Sequence, residues 1–205
     1  MLSQANIAVF VSGGGTNLQA LIDAQESGII KSGTIRVVIA SQEGVYALER
    51  AAKAGIPGVA VVKKNYASQG EYEDALRAVL QQYDIDMIVL AGFLSILSGD
   101  FTKDYPNRII NVHPALIPSF CGKGYYGLRV HEAALEYGVK VTGATVHYVN
   151  EVPDGGQIIA QKAVEILPDD TPEVLQRRVM EQAEWILLPR ATEQVCSEIV
   201  KEKNA

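Results

Sequence analysis

The chain has 205 residues, 48% of them hydrophobic and 20% charged, a composition typical of a single soluble globular domain spanning residues 1–205. Its net charge of -6 leaves no basic field for a nucleic acid or an anionic membrane. The two cysteines, Cys121 and Cys196, are too few for a disulfide framework, and Met1–Asn6 leads into neither a signal peptide nor a membrane span. We therefore expect a cytoplasmic protein whose main partner is not a nucleic acid.

Short runs rich in Val and Ile alternate with amphipathic segments along most of the chain. This alternation predicts βαβ units in an α/β fold, with a mostly parallel central sheet of about seven strands and helices on both faces. The predicted strands are Ile7–Ser12, Ile35–Ser41, Val59–Val62, Met87–Ala91, Ile109–His113, Thr142–Val149 and Ile158–Val164. The predicted crossover helices are Asn17–Ala24, Tyr46–Ala54, Glu71–Gln82 and Val130–Tyr137.

The C-terminal part departs from this alternation. Thr142–Val149 and Ile158–Val164 are separated by too few residues for a crossover helix, so we expect them to pair antiparallel. Asp170–Glu173 predicts the start of a long helix, because it offers a cap, a first-turn proline and an acid near the helix dipole. Pro189 lacks a backbone donor and should kink or divide that helix, and Lys201–Ala205 should fray.

A glycine-rich loop, Ser12–Asn17, lies between the first strand and the first helix. Its glycines permit a positive φ and close approach of a ligand, and the free N–H groups of a helix start bind anions. The Rossmann dinucleotide pattern requires a further glycine where Leu18 stands, and no Gly-Lys-Ser/Thr of a Walker loop follows. The loop is a candidate monophosphate site, with a tight turn or a dinucleotide site as alternatives.

Two further polar groups are candidates for chemistry. Asn111 and His113 alternate along the fifth strand, so both point to the same side at its carboxyl end, where open α/β sheets bind ligands. The alternative is a polar pair that only caps the strand. Asp154-Gly155-Gly156 has the composition of a turn, yet an aspartate beside His113 would raise the imidazole pKa toward neutrality or above and complete an acid–base unit.

The remaining histidines are less informative. His131 lies on an amphipathic helix and is predicted to be a surface or packing residue, whereas His147 faces either the core or the crevice. The histidines stand 16 or more residues apart, and neither H-E-x-x-H nor G-x-S-x-G occurs. We therefore predict no metal site and no serine hydrolase.

Four segments together resemble the phosphoribosylglycinamide formyltransferases, folate-dependent enzymes of purine synthesis, from about Ile7 to about Pro189. The resemblance implies a Rossmann-like formyltransferase fold and formyl transfer from the co-substrate 10-formyltetrahydrofolate to the glycyl amine of glycinamide ribonucleotide. It implies a phosphate-binding half of about residues 1–105, a folate and catalytic half of about 106–205, no metal, and a monomer or homodimer. The segments are Ser12–Ala20, Leu90–Phe93, Ile110–Pro118, and Thr145–Val149 followed by Asp154–Gly156.

The resemblance also implies roles for individual residues. Gly15, Thr16 and Asn17 match the loop that holds the ribotide phosphate, and Glu184 matches a glutamate that contacts the ribotide. The catalytic set matches Asn111, His113 and Asp154. The positions implied to contact folate are Leu94, Ser95, Ile96, Leu97, Asn111, His147 and Gln69.

Three departures from that family are visible in the sequence. Ser95 and Gln69 stand where arginines are common, so the folate contacts differ here. The loop Ser119–Gly127 is several residues longer and carries Lys123, which could reach an anionic ligand. An apparent one-residue insertion lies just before Glu184.

Other functions share parts of the pattern. A methionyl-tRNA formyltransferase is expected to carry a further C-terminal domain and positive charge for tRNA, which this sequence does not show. Hydrolysis of formyltetrahydrofolate would leave the phosphate loop without a purpose. A non-catalytic nucleotide or folate sensor differs from an enzyme only in turnover.

Overall fold

The computed structural model describes residues 4–204. Met1–Ser3, part of the segment inspected for a signal peptide, and Ala205, part of the predicted fraying end, lie outside the described residues. The strands are β1 (Ala5–Val11), β2 (Gly33–Ala40), β3 (Gly58–Ala60), β4 (Met87–Leu90), β5 (Ile109–His113), β6 (Val141–Tyr148) and β7 (Ile158–Glu165). The helices are α1 (Thr16–Glu26), α2 (Tyr46–Lys53), α3 (Gln69–Gln82), α4 (Gly99–Lys103), α5 (Leu128–Tyr137), α6 (Pro172–Val179) and α7 (Trp185–Lys203).

One seven-stranded sheet in the order β3-β2-β1-β4-β5-β6-β7 forms the centre of the fold. All neighbours from β3 to β5 pair in parallel, whereas β6 is antiparallel to both β5 and β7. The mixed α/β sheet predicted from the alternation is confirmed. The chain leaves β1 toward β2 on one side and later returns to β4 on the other, and such a reversal of strand order opens a crevice at the carboxyl ends of the strands.

Side chains of the central strands alternate between two apolar clusters, one on each face of the sheet. Val9 of β1 packs in the cluster that contains buried residues of α1, α2 and α7, and its neighbour Phe10 packs in the cluster with Tyr72 of α3 and Phe101 of α4. Because both faces are covered, the strands appear in the sequence as nearly continuous apolar runs. No helix within residues 4–204 is long and apolar enough to span a bilayer.

Two elements differ from the prediction. Strand β3 ends at Ala60, earlier than the predicted Val59–Val62, and a 3-10 turn at Lys63–Asn65 follows it. Helix α4 was not predicted, because its five residues are too few for a periodic pattern. The Ser98 side chain caps this helix by accepting from the backbone N–H of Phe101.

Pro189 does not divide the C-terminal helix, which was one of the two outcomes predicted for it. Pro189 lies inside α7, and the helix is interrupted earlier, by a π turn at Met180–Glu184. A proline clashes with the carbonyl four residues before it. The residue four positions before Pro189 is Trp185, the first residue of α7, which directly follows the π turn. Thr171 caps α6 as predicted, whereas α7 continues to Lys203, beyond the start of the predicted fraying end.

The π turn accommodates one surplus residue without rotating the buried face of the helical segment that runs from α6 to α7. Leu175, Val179, Glu184 and Leu188 are buried, and their spacings are four, five and four residues. An α-helix repeats every 3.6 residues, and a step of five corresponds to one i→i+5 turn. The position predicted for an insertion, just before Glu184, coincides with this turn, and Glu184 faces inward.

Candidate active site

The glycine loop connects β1 to α1 at the reversal of strand order. Gly15 is the N-cap of α1 with a φ of 72°, and a Cβ there would lie 2.7 Å from the Ala47 Cβ, so glycine is required. Within the described chain no side chain caps α1. Arg50 of α2 braces the loop, because its Nε donates to the Gly14 carbonyl oxygen at 2.8 Å. The first N–H groups of α1 thus remain open to an anion.

Asn17 and Glu184, which are far apart in sequence, meet behind this loop. Asn17 Nδ2 donates to Glu184 Oε2 at 2.7 Å, and Asn17 Oδ1 has no partner within residues 4–204. Thr16 Oγ1 lies 3.8 Å from the Met180 sulfur, so both ends of the π turn touch the start of α1. Burial raises the pKa of Glu184 to about 7, although the hydrogen bond from Asn17 opposes the change. The structure thus joins the four residues implied to bind the ribotide.

Asn111 and His113 of β5 meet Asp154 at the same edge of the sheet. His113 Nδ1 lies 3.5 Å from Asp154 Oδ2, and Asn111 Nδ2 lies 3.5 Å from Asp154 Oδ1. Asp154 has a φ of 56°, a left-handed conformation that aspartate tolerates. A Cβ on Gly156 would overlap the Tyr148 carbonyl oxygen, so this glycine allows the turn to pack against β6. The turn therefore delivers a carboxylate to the two strand residues.

Burial dominates the electrostatics of His113, which is 4% exposed. Desolvation lowers the pKa of His113 below its usual 6.5, and the charge of Asp154 offsets this only in part. The prediction that Asp154 raises this pKa to neutrality or above was therefore wrong for the free protein. The partners still suit the charged ring: Nε2 lies 2.7 Å from the Phe120 carbonyl oxygen, and Nδ1 faces the carboxylate.

Asp154 is held as a carboxylate. Burial acts to raise its pKa, but the neighbouring His147 and His113 rings and the Gly122 N–H outweigh burial, so the pKa lies below its usual value. The Gly122 N–H donates to Asp154 Oδ2 at 2.8 Å. The negative charge next to His113 is therefore present near neutral pH.

His147 faces the crevice and orients Asn111. Its Nδ1 lies 2.7 Å from the Tyr148 carbonyl oxygen, which can only accept, so Nδ1 carries the proton. In the neutral ring Nε2 is then an acceptor, and it lies 3.2 Å from Asn111 Nδ2. The amide nitrogen of Asn111 is thereby turned toward His147 and Asp154, and its oxygen is turned away.

The long loop Ser119–Gly127 covers this group with its backbone. The Phe120 carbonyl oxygen accepts from His113, and the Gly122 N–H donates to Asp154. Lys123 is exposed and forms no ion pair within residues 4–204. Sequence reasoning missed the loop contacts because they are made by peptide groups, which leave no signature in residue type. A ligand that accepts from His113 Nε2 must displace the Phe120 carbonyl oxygen.

A pocket of about 120 Å³ lies between the segment after β4 and the turn that carries Asp154. Two of the residues implied to contact folate lie outside its lining. Leu94 is 58% exposed, and its N–H donates to Ser12 Oγ at 2.9 Å. Gln69 Nε2 donates to the Ile96 carbonyl oxygen at 3.2 Å and supports the segment from α3. The implied residues that do line the pocket are Ser95, Ile96, Leu97, Asn111 and His147.

His131 is a fully buried packing residue of α5, one of the two positions expected for it. Neither ring nitrogen has a partner within residues 4–204, and burial lowers its pKa to about 4, so the ring is neutral. The described residues contain no group of three or more His, Cys, Asp or Glu side chains placed to hold a metal ion.

Comparisons with known proteins agree with this arrangement. The chain is 43% identical over 176 residues to phosphoribosylglycinamide formyltransferase of Haemophilus influenzae, covering 86% of this chain and 80% of that protein. It is 42% identical to the human trifunctional purine biosynthetic protein adenosine-3 but spans only 19% of that protein's length. A crystal structure of glycinamide ribonucleotide transformylase 1 from Symbiobacterium toebii superposes with a TM-score of 0.89 at 39% identity, covering 95% of this chain and 89% of that one.

The sequence profile described as formyl transferase matches residues 5–192, which include β1, the glycine loop, the Asn111–Asp154 group and Glu184. Because the match extends over most of the chain, the fold and the site residues are covered by one family. The chain therefore belongs to the formyl transferase family.

Proposed function

We propose that this protein transfers the formyl group of 10-formyltetrahydrofolate to the glycyl amine of N1-(5-phosphoribosyl)glycinamide, giving formylglycinamide ribonucleotide and tetrahydrofolate in purine synthesis. The observation that carries the proposal is the meeting of Asn111, His113 and Asp154 at the sheet edge where the glycine loop opens. A phosphate-binding loop and an acid–base group on one crevice suit a phosphorylated amine that must react with an acyl donor.

The ribotide phosphate lies on the α1 N-terminus at Gly15, Thr16 and Asn17 in this proposal. Glu184 takes the ribose, since its buried carboxyl group already bonds to Asn17 and Asn17 Oδ1 remains without a protein partner. Folate enters the pocket beside Asn111. The phosphate site thus belongs mainly to residues 1–105 and the catalytic group to residues 106–205, with Glu184 and the segment after β4 crossing that division.

The reaction places a negative charge where the site offers donors. The amine nitrogen attacks the formyl carbon, and the formyl oxygen becomes an oxyanion that Asn111 Nδ2 and His113 Nε2 stabilise. Both donors are engaged with protein acceptors in the free chain, His147 and the Phe120 carbonyl, so substrate binding must exchange these partners. Charge that develops only in the transition state is stabilised without tightening substrate binding.

His113 then completes the proton balance. The attacking nitrogen loses a proton, the bond from carbon to the folate nitrogen breaks, and that nitrogen gains a proton, so no net proton is consumed. His113 is neutral in the free chain and takes up the proton that the attacking nitrogen loses, directly or through water, and Asp154, which faces Nδ1, holds the resulting imidazolium. The ring can then act as the general acid.

The test is an assay with both substrates that follows tetrahydrofolate by absorbance and the formylated ribotide by mass spectrometry. We expect turnover that falls about 10²–10⁴-fold in His113→Ala, which removes a general acid, and about 10²–10³-fold in Asn111→Ala, which removes an oxyanion donor. Asn204→Ala, the same change at an exposed position, should retain full activity. Formate release without ribotide formylation would indicate a hydrolase, and ligand binding without turnover a sensor.

We infer that the protein works on these small molecules as a monomer or homodimer in the cytoplasm. Cys121 and Cys196 are both free thiols, which supports a reducing compartment.

A further inference from the structure

The pocket proposed for folate contains no positive side chain among the described residues. Its ionisable lining residues are His147, Asp154 and Glu151, and Ser95 is neutral. Gln69, which supports the segment, is neutral as well. Folates end in a glutamyl group and carry further glutamyl groups in many cells, so this co-substrate has several carboxylates beyond its ring system. The pocket offers these carboxylates no cation.

A second groove, of about 570 Å³, opens nearby at the carboxyl ends of β2 and β3. Lys63 and Lys64 of the 3-10 turn line it, both are exposed, and neither side chain forms a hydrogen bond or an ion pair within residues 4–204. Glu43 is the one acidic lining residue, so the groove carries a net positive charge. Ser41, Gln42 and Asn65 add neutral polar groups.

The segment Leu94–Leu97 joins the two cavities. On one side the Leu94 N–H donates to Ser12 Oγ, which lies 2.7 Å from the hydroxyl of Ser41, a residue of the second groove. On the other side Gln69, the first residue of α3, donates to the Ile96 carbonyl oxygen. A ligand tail that leaves the pocket past this segment therefore meets the start of α3 and the turn just before it.

The position of the two lysines is fixed by packing. Tyr66, the residue directly after the 3-10 turn, packs in the apolar cluster that also holds Phe93 and Leu97. Its ring centroid lies 5.9 Å from that of Tyr72 in α3. The turn is thus anchored to the apolar cluster that also contains Phe93 and Leu97 of the pocket lining, while its ammonium groups stay in solvent.

We propose that Lys63 and Lys64 bind the glutamyl carboxylates of the folate co-substrate. This inference rests on the proposed function, because it concerns the same co-substrate. Lysines are mobile point charges, which suit a flexible chain of carboxylates better than the fixed fork of an arginine does. The groove is solvated, so the contribution is that of exposed ion pairs and depends on salt.

The experiment measures binding of tetrahydrofolate carrying one or five glutamyl groups by calorimetry at low salt. We expect the five-glutamyl form to bind about threefold to tenfold more tightly than the one-glutamyl form, as two exposed ion pairs predict. In Lys63→Ala/Lys64→Ala this preference should disappear, and raising the salt should reduce it in the wild type. The control Lys31→Ala/Lys201→Ala, with the same loss of charge at the opposite edge of the sheet, should keep the preference.

Two results would overturn the proposal: equal binding of both forms by the wild type, or a preference that survives in Lys63→Ala/Lys64→Ala. Either result leaves the proposed reaction standing if the one-glutamyl substrate is turned over. If neither form binds and no formyl transfer occurs, the proposed function itself fails, and the tail site fails with it. Both lysines are exposed, so unfolding curves of the variant should match those of the wild type.

Discussion

Glu184 is a carboxyl group whose pKa the fold raises to about 7, and its replacement should change the pH dependence of stability. The side chain is 6% exposed and accepts one hydrogen bond, from Asn17. In Glu184→Gln the amide oxygen can accept the same bond, and the amide nitrogen can donate to Asn17 Oδ1, which otherwise has no partner within residues 4–204. The variant removes the ionisation and retains the shape.

The magnitude follows from the pKa of Glu184, which burial raises from 4.5 to about 7. Below pH 4.5 both the folded and the unfolded chain bind the proton, so ionisation has no effect on stability. Between 4.5 and about 7 the unfolded chain loses this proton while the folded chain keeps it, so stability falls as pH rises. At about 1.36 kcal/mol for each pH unit, the loss reaches about 3 kcal/mol at pH 8.

The assay is urea unfolding of wild type and Glu184→Gln at pH 4.5, 6, 7 and 8, conditions chosen to span the change. We expect the difference in unfolding free energy between the two proteins to shift by about 3 kcal/mol in favour of the variant over this range. Glu132→Gln, the same substitution at an exposed position of α5, is the matched control. A pH-independent difference for Glu184→Gln would refute the conclusion that burial raises the pKa of this carboxyl group.

Two further predictions concern Asp154 and the π turn. In Asp154→Asn the charge that partly offsets burial is lost, so the His113 pKa should fall further below 6.5 and kcat should drop. Imidazole NMR titration and pH profiles of kcat for both proteins measure these changes. An unchanged titration of His113 would return Asp154 to the role of a turn residue. Deleting Gln182, an exposed residue of the π turn, should restore a regular helix with Glu184 four residues after Val179 and leave kcat/KM near that of the wild type. Deleting Gln176 instead should rotate the buried face of α6 by about 100° and destabilise the protein. An equal loss of stability and activity in both variants would contradict the interpretation that the π turn holds one surplus residue.

The local sequence determines most elements of the fold, because hydrophobic periodicity and turn chemistry act over a few residues. The continuous apolar runs predict the buried strands, and Gly15 and Thr171 predict how α1 and α6 begin. The spacing of Asn111 and His113 places both on one side of β5. The short helix α4 and the true length of β3 escape such reasoning, since neither is long enough to show a period.

Only the tertiary structure decides the state of the site. Whether Asp154 or burial governs the His113 pKa depends on how much water the surrounding chain excludes, and here burial is the larger effect. The pKa of Glu184 rises to about 7 because the π turn directs the side chain into the interior beside Asn17. Desolvation is a property of all the atoms around a group, so residue type and spacing predict which groups meet but not which charge they carry.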